Sequence, residues 1–206
     1  MLDSEYERDL RCISESCREF RVVSGSAGLA SEIPEGIGLS SSRPTLTVCG
    51  SMRTTTRNQM NMLERHLGVE KFTLREDTFR GKQDIAIRSL GKALDLNKDV
   101  AIITSDKHIN LEPDITGDQI VTRLAEITAE LIGKHEVSGI IMTGGATSLG
   151  ICEKLGVNSM EILGEVRPGI PLLKLSNGII AITKAGGFGD DYSLIESVRY
   201  LRRMRK

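Results

Sequence analysis

Between Thr45 and Leu155, short apolar runs of β character alternate with longer stretches of helical periodicity, and glycines stand directly after several of the runs. Strands separated by helices need crossover connections, so the pattern implies mainly parallel pairing in a sheet covered on both faces. The reading places strands at Thr45 to Cys49, Lys71 to Leu74, Val100 to Thr104 and Gly139 to Met142. It places helices at Thr54 to Leu67, Asp84 to Leu96, Gly117 to His135 and from the glycines after Met142 through Leu155. Ile120, Leu124, Ile127 and Leu131 recur at helical spacing and form an apolar stripe. Farther on, Leu172 to Leu175 and Ile179 to Thr183 flank Ser176-Asn177-Gly178, and Asn-Gly between apolar runs signals a hairpin. A last helix is expected from Tyr192 to Met204. The expected fold is three-layer α/β/α, with a mixed, mainly parallel sheet that includes this C-terminal hairpin.

The first 44 residues read differently. Leu2 to Phe20 has Leu10, Ile13, Cys17 and Phe20 on one helical face. Val22-Val23 is expected to start a short strand running into Gly25-Ser26-Ala27-Gly28-Leu29-Ala30. Residues 31–44, with Pro34, Gly36, Gly38, three serines and Pro44, read as a linker. The chain therefore divides into residues 1–44 and a larger unit, 45–206.

Composition narrows the function. Of 206 residues, 27 are basic and 28 acidic, so a net charge of -1 gives no electrostatic basis for a nucleic-acid or membrane partner. The cations from Arg199 to Lys206 fit a last helical turn complementing the helix dipole. Cys12, Cys17, Cys49 and Cys152 contain no C-x-x-C pair and, with three scattered histidines, make no zinc pattern. Without a signal segment or a membrane-length apolar run, the expected location is a reducing cytoplasm.

Three glycine-bearing turns follow expected strands, at the rim where open α/β sheets bind ligands. The first is Cys49-Gly50-Ser51-Met52. Gly50 lets the backbone turn closely, and the Ser51 hydroxyl with nearby N–H groups could hold a phosphate; a plain helix N-cap is the alternative. The second is Thr143-Gly144-Gly145-Ala146-Thr147-Ser148, where two glycines bare the main chain and a helix points its positive end at the same spot. It lacks the Walker A spacing. The third is Lys184-Ala185-Gly186-Gly187-Phe188-Gly189-Asp190-Asp191. Here Lys184 could balance phosphate charge and Asp190 or Asp191 could hold Mg²⁺ through water. In the alternative, Asp191 is an N-cap and Lys184 a surface residue. His66 and His135 fall within helices, and His108 lies on a loop. No nucleophile–base pair stands out, and phosphoryl transfer does not require one.

Taken in order, these segments resemble one family. Gly25-Ser26-Ala27-Gly28-Leu29-Ala30 looks like the segment joining the two domains of the four-carbon acid sugar kinases. Val48-Cys49-Gly50-Ser51, with Gln59 further on, resembles the family's G-S…Q stretch. Gly144-Gly145-Ala146-Thr147 is similar to its G-G-[DE]-T turn. Glu165 to Pro171 looks like its E-x-x-P-G-[VI]-P segment, and Lys184 to Gly189 like its K-S-G-[NG]-F-G ending. The resemblance implies ATP-dependent phosphorylation of a small sugar acid on its terminal hydroxyl, with Mg²⁺. ATP contacts would fall on Ser51, on Gly144 through Thr147 and on Gly187, with Gly50, Ser148, Lys184, Gly186, Asp190 and Asp191 as accessory positions.

Two departures stand beside the resemblance. Nothing matches the D-D-x-T-G-type motif of the family's sugar-binding domain, so that domain is expected as another segment or a separate partner chain. Ala146 occupies a position where the family carries Asp or Glu. A non-catalytic module binding a nucleotide or another anion is therefore the second reading, and a homodimer stays open. A dehydrogenase is disfavoured because no G-x-G-x-x-G follows the first strand.

Overall fold

The structure, a computed structural model, describes residues 2–17, 20, 22–36, 43–51, 53–79, 83–104 and 115–204. The chain divides into two compact units, Met1–Ser42 and Arg43–Lys206.

The first unit holds α1 (Glu7–Ser16) and α2 (Ala27–Gly36). The Ser14 hydroxyl, buried, donates to the Glu32 carbonyl at 2.8 Å and ties the two helices together. The strand expected from Val22 does not form. Ser26 instead starts α2, its side-chain oxygen accepting the Leu29 N–H at 3.4 Å and its carbonyl the Ala30 N–H at 3.0 Å. The expected linker is likewise helical over residues 31–36, while residues 37–42 lie outside the described residues.

In the second unit, β1 (Thr45–Cys49), β2 (Glu70–Leu74), β3 (Val100–Thr104) and β4 (Gly139–Thr143) pair in parallel. The strand β7 (Ile180–Lys184) adds in parallel to β4, and β6 (Ile170–Leu175) and β5 (Met160–Arg167) follow antiparallel. Among the described residues the sheet runs β2-β3-β1-β4-β7-β6-β5, so the expected mixed, mainly parallel sheet is what forms. The Asn-Gly hairpin joins β6 to β7. A second hairpin, β5–β6, lies outside the sequence expectation. Its strand is largely exposed, and register shifts at Ile162/Gly164 and Glu165/Arg167 break the period-2 pattern that would announce it.

Alternation along each buried strand divides the core in two. Leu46, Val48, Val100, Ile102, Ile140 and Met142 pack with Leu90, Leu124, Ile127 and Ile151 of α5 (Gln83–Asp95), α6 (Gly117–Lys134) and α7 (Gly145–Lys154). Cys49, Ala101, Ile103, Ile141 and Ile182 pack with Met60, Leu63, Leu194, Val198 and Leu201 of α3 (Thr54–Leu67) and α8 (Ser193–Arg203). Each fully buried aliphatic side chain contributes about 1.5–3 kcal/mol to holding a layer in place. A short helix, α4 (Glu76–Phe79), follows β2. The start of α6 is fixed by a capping box: Thr116 Oγ1 accepts the Gln119 N–H at 3.2 Å, and Gln119 Oε1 accepts the Thr116 N–H at 2.7 Å.

At the rim away from the three turns, the Asp99 carboxylate accepts the Thr45 N–H at 2.8 Å and the Thr45 hydroxyl at 3.0 Å. Arg202 Nη2 reaches its other oxygen at 2.5 Å. Arg202 is therefore more than a solvated cation in the last helical turn: it fastens α8 to the beginnings of β1 and β3. No described helix is long and apolar enough to cross a membrane.

Candidate functional site

Sheet register brings the three turns together. Cys49 pairs with Thr143, and Thr143 with Lys184, so the last residues of β1, β4 and β7 stand in one row. At the usual spacing between strands the row is about 10 Å across. The chain leaves β1 for β2 at one edge and later passes back across β1 to β4. The rim between β1 and β4 is thus where strand order reverses, the usual place for a ligand in such a sheet.

Hydrogen bonds join the turns directly. The Gly50 N–H donates to the Thr143 carbonyl at 3.3 Å, and the Gly144 N–H to the Lys184 carbonyl at 2.9 Å. The Gly187 N–H donates to Thr56 Oγ1 at 3.3 Å, and Thr56 Oγ1 lies 3.4 Å from Ser51 Oγ. Packing here is tight enough to require glycine. A Cβ on Gly50 would lie 1.8 Å from Thr147 Oγ1, and one on Gly186 would lie 2.6 Å from Ser51 Oγ. Gly144, at φ 103°, turns the chain directly into α7.

The resulting surface offers main-chain donors. The N–H groups of Ser51, Gly145, Ala146 and Gly186 have no acceptor among the described residues. Those of Gly145 and Ala146 belong to the first turn of α7, where no intrahelical acceptor exists and the dipole is positive. Thr147 is buried under Gly50, and Ser148 Oγ donates to the Gly144 carbonyl at 2.9 Å. Chemically, donors arranged this way can pair with an anion that carries several oxygens.

The remaining candidates take more particular places. Ser51 is not a plain N-cap. Arg53 occupies that position, and Ser51 Oγ accepts the Arg53 N–H at 3.3 Å. Lys184 is buried, its ammonium donating to the carbonyls of Ala185 at 3.1 Å and Phe188 at 2.9 Å, and burial lowers its pKa. It is therefore not the surface residue of the alternative reading. Asp190, not Asp191, closes the start of α8: its Oδ1 accepts the Tyr192 N–H at 3.1 Å and the Ser193 hydroxyl at 3.0 Å. Arg167 Nη1 reaches the same oxygen at 2.5 Å and holds the Asp190 carboxyl below its ordinary range. Asp191 is exposed. Cys49 packs against Met60, with burial pushing its thiol up to about 11. His66 is exposed near Tyr192, and His135 bonds Asp95 through Nδ1 at 2.6 Å; neither joins the turns. Met52 and His108 lie outside the described residues.

Three residues come to the site unannounced. Arg53 runs along Gly187, Thr56 bonds its N–H, and Arg167 braces Asp190. Only Thr56 carried a signal, in its spacing of three from Gln59 on one face of α3.

The family described as the nucleotide-binding C-terminal domain matches residues 46–194. The chain belongs to that family. A D-threonate kinase of Salmonella typhimurium is 28% identical over 99% of this chain and 54% of its own length. A 3-oxo-tetronate kinase of Cupriavidus necator is 25% identical over 97% of this chain and 51% of its own. This family member thus spans about half the length of the curated relatives it matches. The fold is shared with a Bordetella bronchiseptica domain of unknown function, solved with citrate as a domain-swapped dimer. There the TM-score is 0.75 at 23% identity, covering 99% of this chain and 53% of that one.

Proposed function

We propose that the chain is the ATP-binding part of a small sugar-acid kinase. The observation that carries this reading is the convergence of three glycine turns on one rim, with main-chain N–H groups that have no acceptor among the described residues. In this reading the N–H groups of Ser51, Gly145, Ala146 and Gly186 hold the triphosphate, Gly144 and Gly187 bare the main chain beside it, and Thr147, buried, packs beneath Gly50. Gly50 and Gly186 permit the close approach, Ser148 steadies the second turn, and Lys184 sits beneath the third. Residues 45–206 are the nucleotide domain. Residues 1–44 are the tail of a sugar-binding domain, whose remainder is supplied by another segment or a separate chain. The γ-phosphoryl group would pass from ATP to the terminal hydroxyl of a four-carbon acid sugar, as the kinase relatives' names suggest, in the cytoplasm.

ATP fits these residues, because donors at a helix N-terminus, without an acceptor among the described residues, match phosphate oxygens. Mg²⁺ held by the protein fits them poorly. No group of three or more His, Cys, Asp or Glu residues suited to a metal occurs among the described residues. Asp190 Oδ1 is engaged by Arg167, and Ala146 has no carboxyl. Any Mg²⁺ would arrive on the nucleotide. The chain's own part is to bind and orient the phosphates, and each charge-assisted bond would contribute about 1.5–3 kcal/mol.

Calorimetry with ATP, ADP, AMP and adenosine tests this. Affinity should fall as phosphates are removed; equal binding of adenosine and ATP would contradict a phosphate-centred site. Ala146 favours a second reading, a non-catalytic nucleotide- or anion-binding interaction module. Under that reading, adding the sugar-binding half restores no phosphorylation. A homodimer is compatible with either, since one structural relative crystallised as a dimer.

A further inference from the structure

One loop at the site is held from below by two buried polar side chains of different elements. Lys184, ending β7, is 3% exposed, and Gln59 of α3 is 0% exposed. Gln59 Nε2 donates to the Phe188 carbonyl at 3.0 Å and to the Asp190 carbonyl at 2.7 Å. Lys184 Nζ reaches the same Phe188 carbonyl at 2.9 Å and the Ala185 carbonyl at 3.1 Å. Three carbonyls of residues 185–190 therefore face inward onto two donors. Among the described residues no carboxylate pairs with Lys184, and its ammonium meets carbonyl dipoles instead.

Peptide geometry turns this into a statement about the rim. In a planar trans peptide the C=O and the following N–H point in opposite directions. Pulling the Ala185 carbonyl inward sends the Gly186 N–H outward, toward the row shared with Ser51 and Gly145. That N–H has no acceptor among the described residues. Released from Lys184, the Ala185 carbonyl would keep only the Phe188 N–H, at 3.2 Å, and the 185–186 peptide could rotate and present that carbonyl to the rim, where it would repel a phosphate.

We propose that Lys184 and Gln59 are positioning residues that clamp residues 185–190 so that the Gly186 N–H faces the phosphate, neither side chain touching the nucleotide. This rests on the nucleotide-binding reading. It separates Lys184 from the direct charge-balancing part that its sequence position suggests, and it gives Gln59 a mechanical task.

The test uses the full chain and the variants Lys184→Met, Lys184→Arg and Gln59→Leu, with two readouts. The first is hydrogen exchange of the Gly187 and Phe188 amides in unliganded protein. These amides bond Thr56 Oγ1 and the Ala185 carbonyl, and both depend on the loop's shape. Exchange should quicken about tenfold or more in Lys184→Met and in Gln59→Leu. The second is calorimetry with ATP and with adenosine. ATP affinity should drop about tenfold or more in the same two variants, adenosine affinity should hold, and Lys184→Arg should restore part of the loss. A loss of ATP affinity with unchanged exchange would mean direct contact and overturn the clamp, as would unchanged affinity. If the unaltered chain ignores ATP, the nucleotide reading fails, and the exchange readout still decides whether the clamp exists. Should Lys184→Met not fold, Gln59→Leu carries the test.

Discussion

Replacing Gly145 with alanine should strengthen the fold and weaken the site at once. An added Cβ at Gly145 meets nothing within 4 Å, and the position needs no left-handed backbone. Gly145 is the first residue of α7, and alanine is favoured over glycine in helices by roughly 0.5–1 kcal/mol. At this chain length that gain corresponds to a melting temperature about 1–4 °C higher. The methyl group would nevertheless occupy the space through which a phosphate must approach the Gly145 N–H. Losing one charge-assisted bond of about 1.5–3 kcal/mol lowers ATP affinity roughly tenfold to a hundredfold. Gly133→Ala is the control. It lies in α6, an added Cβ there also meets nothing within 4 Å, and it should gain stability without changing affinity. Thermal melts and calorimetry on the two variants read both effects. Gly145→Ala binding ATP as tightly as the unaltered chain would refute the phosphate's placement on α7.

Three further outcomes follow from the geometry. Gly50→Ala sets a Cβ 1.8 Å from Thr147 Oγ1 and 3.1 Å from Thr147 Cβ, and a β-branched side chain cannot swing clear of both. Urea unfolding should show a loss of about 1–3 kcal/mol, and an unchanged midpoint would mean the two turns are not packed as described. Asp99→Ala strands Arg202 and the Thr45 N–H; with the carboxylate 1% exposed, the loss should be about 3–5 kcal/mol, again by urea. A loss under 1 kcal/mol, within the range of a surface pair, would contradict the buried linkage. Cys49 makes stability fall at high pH. Its folded pKa is raised from 9.0 to about 11, so the neutral thiol's contribution is complete below pH 9 and is lost as pH rises through about 11. The loss is worth roughly 3 kcal/mol. Lys184, whose pKa burial lowers, acts in the opposite sense below its ordinary 10.5, so the readout is the difference between the unaltered chain and Cys49→Ala. Parallel pH curves for the two would refute it.

The strands and helices facing the core were legible because burial imposes period. Thr45–Cys49, Val100–Thr104 and the stripe on α6 read directly from apolar spacing. What escaped is what burial does not pattern: exposed, bulged β5, and α2, whose start is set by one serine hydroxyl. At the site, the three turns were legible from glycine alone. That they meet is a matter of register, the pairing of Cys49 with Thr143 and Thr143 with Lys184, which no local signal encodes. Lys184 shows the limit most clearly. A lysine after an apolar strand could face solvent, phosphate or its own loop. It turns to its own loop, where Gln59, 125 residues earlier, shares the Phe188 carbonyl with it.

Mapping amide chemical shifts during titration with ATP addresses the phosphate cradle most directly. Changes should concentrate at Ser51, Gly145, Ala146 and Gly186, with adenosine moving them far less. Shifts centred instead on the depression of about 410 Å³ lined by Ile87, Arg123, Ile127 and Lys154, at the other end of α7, would contradict it.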